Sequence, residues 1–310
     1  MSEIIDTIEI IREHINRPRK QSILLNNKHF WNQLCSSLDI VEDTELAIDS
    51  YLILNETEDN GLKYLYVFGI LQILFVQQDA VINMAESLGT NFEMDDDLKN
   101  IRMVRNNSIG HPTKRGSGLN SKYNFIFRAY LSQKNLSLMT VAPNEQEHTK
   151  FYHYNIHKLI TSQRKSVNKL LLEISSMLKK EEKLHKEQFK NEKLSNVFPN
   201  TIHYHFQKLT ESSLLTTGKE LRKGNFDIIK NSLKDFESEL KKRDSLNAYI
   251  GVNIVLEELK YPMEKLNKYF SDEIELENEE VYIYKFFVEK QFDELIEMSK
   301  EIDKDYLKNV

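Results

Sequence analysis

The amino-acid sequence predicts an all-α protein carrying one small β-hairpin. Gly (9) and Pro (5) are scarce among 310 residues, 29% of the chain is charged and 40% apolar. Apolar positions also recur every three or four residues through long windows. Together these are the marks of a mostly helical globular chain rather than a disordered or all-β one. At this length two domains can each bury a core.

In chain order, Ile4, Ile5, Ile8, Ile11 and Ile15 form the apolar stripe of a first helix, which should stop before Arg17-Pro18 because the residue preceding proline is pushed out of the helical region. A second helix is expected over 28–38. Asp43-Thr44-Glu45 reads as the start of a third, over 45–54, and Asn60-Gly61 as a break. The long apolar segment 62–88 should be the central helix, closed by Gly89. Its most apolar part, Tyr64–Val76, is shorter than the ~20 residues that cross a bilayer, so a core helix and no membrane contact are expected. Asp95-Asp96-Asp97 places negative charge where a helix start favours it.

Lys114 to Ser121 forms a Gly/Ser loop, and 123–141 alternates polar and apolar residues about a Gln-Lys-Asn turn, the signature of a β-hairpin. From 155 to 194 the positions Ile156, Ile160, Val167, Leu171, Ile174 and Leu178 keep near-heptad spacing before a charged run, which predicts a long connecting helix. Further helices are expected over 202–213, 225–243, 246–270 and 279–308. The organisation follows as a first domain over 1–175, the helix 155–194, and a helical domain over 200–310.

A formal charge of −6 argues against a general nucleic-acid-coating surface, though not against a local basic site. One cysteine, Cys35, leaves no internal disulfide and suits a reducing cytoplasm. The opening MSEIIDTIEIIREH is amphipathic and acidic, unlike a secretory leader. His153 and His157, and His203 and His205, are spaced as metal ligands can be, but no carboxylate or cysteine completes either set, so no metal and no cofactor is expected. Gly116-Ser117-Gly118 lacks the flanks of a phosphate loop.

The chemistry concentrates in RMVRNNSIGHPTKR, residues 102–115. Arginine presents a permanent fork of donors suited to phosphate, and histidine gives and takes protons near neutral pH. Arg105 and His111 therefore make a minimal kit for metal-free phosphodiester cleavage. Six residues along a straight helix would leave the two side chains ~120° apart and ~9 Å along the axis. The Gly110-His111-Pro112 exit removes that objection: glycine permits a left-handed cap, proline forbids continuation, and His111 can turn back.

Arg105-Asn106 followed by Ser108-Ile109-Gly110-His111-Pro112-Thr113 resembles the R-x(4–6)-H signature, commonly begun Arg-Asn, of the HEPN superfamily, whose name stands for higher eukaryotes and prokaryotes nucleotide-binding. The likeness covers residues 28–175 and includes a long apolar helix before the motif helix. It implies a HEPN-like helical bundle and a metal-independent endoribonuclease of toxin, abortive-infection or other microbial defence systems. The site would be composite, formed by a homodimer, with an antitoxin or defence partner as a further component.

On that resemblance Arg105 would hold the scissile phosphate, His111 would act as acid or base, and Asn106 would orient the histidine or the phosphate. Asp79, alone in an apolar helix, would pair with Arg105 or Arg102; the other reading puts it on an exposed strip with Gln72 and Gln78. Arg102, Lys114 and Arg115 would supply an RNA-binding footprint. Tyr123, Phe125 and Phe127 read first as core, and second as rings that stack bases. The alternative to the enzyme is an inactive HEPN scaffold that binds RNA or protein.

Overall fold

The computed structural model describes residues 3–142, 148–211 and 218–308. Helix accounts for 73% of the chain, with one small antiparallel sheet, so the fold is mainly α. The chain divides into two compact units, one of residues 1–14 and 27–178, the other of residues 15–26 and 179–310. The stretch 15–26, expected within the first domain, therefore groups with the C-terminal residues.

In the first unit, α1 (Glu3–Ile15) buries its isoleucine stripe. Then α3 (Lys28–Leu52) runs unbroken through the expected stop at 43–45. The Thr44 hydroxyl donates back to the carbonyls of Ile40 (2.7 Å) and Val41, a bond made inside a helix rather than at its cap. Asn60-Gly61 likewise opens α4 (Asn60–Ser87), behind Asp59, whose carboxylate caps the Leu62 N–H at 3.0 Å. Gly89, at φ +73°, ends it.

By length and composition α4, at 28 residues, is the one helix among the described residues that could cross a membrane. It is longer than its most apolar stretch suggests, and it buries Val67, Ile70, Leu71, Leu74, Val81 and Met84 in protein. Asp95 caps α5 (Asp96–Arg105) through the Leu98 N–H, and its second oxygen accepts from Ser166 Oγ at 2.6 Å.

The hairpin gains a third strand. β1 (Tyr123–Ile126), β2 (Asn135–Val141) and β3 (Thr149–Asn155) pair antiparallel in that order. β3 escapes a sequence reading because TKFYHYN places aromatics on both alternations, so no apolar face stands out. One face of the sheet, through Ile126, Leu136, Leu138, Tyr152 and Tyr154, packs on the core of Ile48, Val67, Leu71, Ile101, Val104 and Ile156.

The long helix α6 (Ile156–Phe189) contributes 156–178 to this unit and the remainder to the other. In the second unit, α2 (Pro18–Leu25) starts on the proline that ends α1, since proline fits the first turn of a helix. α7 (Ile202–Leu209), α8 (Lys219–Lys242), α9 (Ile250–Phe270) and α10 (Asn278–Leu307) surround a core rich in phenylalanine, including Phe198, Phe206, Phe226, Phe236, Phe270 and Phe292. The end of the expected helix 202–213 lies outside the described residues.

Candidate functional site

The last turns of α5 bring Arg102 and Arg105 onto α4. Their guanidinium carbons each lie 4.5 Å from the centre of the Phe75 ring, a cation–π arrangement for both. Arg105 donates from Nε and Nη2 to Gln72 Oε1 (3.1 and 2.8 Å) and from Nη1 to Asn106 Oδ1 (3.0 Å). Arg102 donates from Nε to Gln78 Oε1 (2.7 Å) and from Nη2 to Asp79. Asp79 thus pairs with Arg102, and an uncharged amide holds Arg105.

Gln78 does not lie on an exposed strip. It is buried, and its amide donates to Gln163 Oε1 at 2.7 Å. Gln163 in turn donates to Gln77 and to the Leu74 carbonyl, and Gln77 donates to Glu45, which Arg164 meets at 2.9 Å. Buried polar groups are costly unless bonded, and this connected chain across α3, α4 and α6 anchors Arg102 and, through it, the motif helix. Gln72 and Phe75 are the holders that the sequence reading passed over; Gln72, Phe75 and Asp79 recur at helical spacing on an apolar helix, and that was the legible signal.

Beyond Arg105 the backbone widens into a single π turn, Asn106–Gly110, closed by His111 N–H on the Asn106 carbonyl at 2.7 Å. Such turns interrupt helices at functional sites more than elsewhere. The left-handed cap expected at Gly110 is not formed, since its φ is not positive. Glycine serves a different need: a Cβ there would lie 2.7 Å from Arg105 Nη1 and 3.2 Å from Asn106 Oδ1. The guanidinium thus rests on the backbone of the residue before His111, whose side chain is exposed. The arginine folds along the widened turn toward Gly110, and Asn106 fixes it there.

Lys114 is exposed, and Arg115 donates from Nη1 to Asn107 Oδ1 while its backbone pairs with Lys122. The Asn124 N–H bonds the Pro112 carbonyl at 2.8 Å, tying the exit loop to β1. Phe125, expected first as core, is exposed.

Arginine carries five donors. Three of those on Arg105 are engaged by Gln72 and Asn106, leaving two for an incoming anion. Among the described residues no group of three or more His, Cys, Asp or Glu could hold a metal ion. His153 Nδ1 instead meets Ser137 Oγ (2.8 Å), and His205 Nδ1 meets Asn225 Oδ1 (2.8 Å). Burial, together with Asp39, pushes the Cys35 thiol up, which disfavours it as a nucleophile. No protein-family model, curated protein or solved structure matches this chain.

Proposed function

We propose that the protein is a metal-independent endoribonuclease of HEPN type, acting in the cytoplasm within a microbial toxin or defence system, with Arg105 and His111 as its working pair. One observation carries the reading: the Arg105 guanidinium is positioned over Gly110 by two amides, with donors to spare, beside an exposed His111. A phosphate bound by those donors would lie next to an imidazole able to move protons, and the arginine would stabilise charge developing on the phosphate oxygens. A homodimer would bring two such pairs to one cleft, and an antitoxin or defence partner would restrain it.

The test is RNA cleavage in EDTA by the wild type, His111→Ala and Arg105→Ala. Loss of roughly 10²- to 10⁴-fold in either variant is expected from removing an acid–base group or a charge stabiliser. Equal cleavage by all three would sink the assignment.

A second reading, an inactive scaffold, draws on the exposed Tyr282, Ile283 and Phe286 of α10, an apolar face suited to a protein partner. Over-production separates the two: an active nuclease slows host growth and its His111→Ala form does not.

A further inference from the structure

We propose that the solvent face of the β-sheet is a stacking platform for unpaired bases of single-stranded RNA, leading the strand to the Arg105–His111 site. The proposal rests on the RNA-directed reading of that site and adds the form of nucleic acid it takes.

Register builds the platform. Phe125 stands directly across from Met139, and Met139 across from Phe151, so one row spans all three strands. Phe127 shares the parity of Phe125, and its ring stacks on Phe151 at 5.7 Å between centroids and 26° between planes. Tyr130 meets Phe127 edge-on. The opposite alternation of the same strands faces the core, so this row is not left over from packing. Phe125 is 52% exposed, Phe151 58% and Tyr130 65%. Exposing these rings in water is costly, and every base offers a flat π face to stack on them.

Charge and continuity select nucleic acid over protein. Between Asp97 and Glu145 the chain holds eight Lys and Arg and no Asp or Glu, within a protein of net charge −6. Lys114 and Arg128 from that stretch are exposed, at the exit loop and just after β1. Asn124, bonded to the Pro112 carbonyl, places Phe125 one residue from the strand position tied to the site's own loop. Exposed cations on the segments next to stacked rings are the combination that holds single strands with little regard to sequence. A duplex, whose bases are stacked already, has no face to offer it.

The full-length chain carrying His111→Ala, which stops cleavage, is titrated with a fluorescent 12-nucleotide oligouridylate, with Phe125→Ala, Phe151→Ala or both added. Stacking is worth enough per base that each ring removed should weaken binding about tenfold. Phe125→Trp should bind as the phenylalanine does, with its indole emission quenched by the RNA. A 12-base-pair RNA duplex should bind weakly and be indifferent to the rings. Unchanged oligouridylate affinity in the double variant, with its circular dichroism intact, would assign the face to a protein partner and overturn the proposal; so would a duplex that binds as tightly as the strand. Either failure leaves cleavage in EDTA standing. A wild type that binds through the rings but cleaves nothing would instead retain the platform and remove the nuclease.

Discussion

Two pairs of arginines, one in each unit, are held in different ways. Arg222 and Arg243 in the C-terminal unit are each 1% exposed. Arg222 donates to the Leu209 carbonyl at 2.7 Å and lies over Phe270; Arg243 donates to the Glu192 carbonyl at 2.6 Å, pairs with Glu239 and lies over Phe189. Their partners are mostly backbone, so they stitch helix ends and loops together. Arg102 and Arg105 are half-buried, are held by side-chain amides and one carboxylate, and share a ring. The half-buried pair keeps its charge within reach of solvent, whereas the fully buried pair is enclosed by the fold.

Exchanging each arginine for methionine should break the comparison cleanly. Arg243→Met leaves Glu239 and the Glu192 carbonyl without their donor and should cost about 3 kcal/mol, read by chemical denaturation. Arg105→Met should cost under about 1 kcal/mol while removing cleavage. Similar stability losses in both would erase the distinction between a structural and a functional pair.

Gly110→Ala sharpens the functional half. The new Cβ would strike the free end of the Arg105 side chain, which can move, so stability should change by less than about 0.5 kcal/mol. The displaced guanidinium should lower cleavage about tenfold. A fully active Gly110→Ala enzyme would show that the close approach has no part in the chemistry.

A pH-dependent effect belongs to the C-terminal unit. Burial pushes the His185 imidazole down to about 4, with Arg19 and Arg243 adding to the shift and Asp244 and Glu181 opposing it. Its Nε2 lies 3.0 Å from the Tyr306 hydroxyl. The unfolded chain takes up this proton first as pH falls below about 6.5, so stability should decline between pH 6.5 and 4. Because the ring is only half-buried, about 1 kcal/mol is expected after solvent screening. His185→Gln should flatten that part of the stability profile, and an unchanged slope would place the titration elsewhere.

Helices with a strong local signal were legible from sequence. α1 shows its isoleucines, α4 its apolar length, α5 its Asp95 cap, because local spacing and capping are properties of neighbouring residues. Signals with two meanings misled. Pro18 ends one helix and begins another, and Asp43-Thr44-Glu45 can start a helix or continue one when a buried Glu45 has a partner waiting. That partner, Arg164, is far away in sequence, so no local reading could weigh it.

The candidate site divides the same way. Residue types and spacing in RNNSIGHP are enough to single out Arg105, Asn106 and His111 as a chemical set, since a permanent cation and a proton carrier at a helix exit are facts of sequence. Only tertiary packing decided that Asp79 belongs to Arg102, that Gln72 and Phe75 hold Arg105, that Gly110 is the seat for a guanidinium, and that Phe125 faces solvent. Each of those depends on which helix face or strand alternation meets the core, and that choice is made jointly by residues dozens of positions apart.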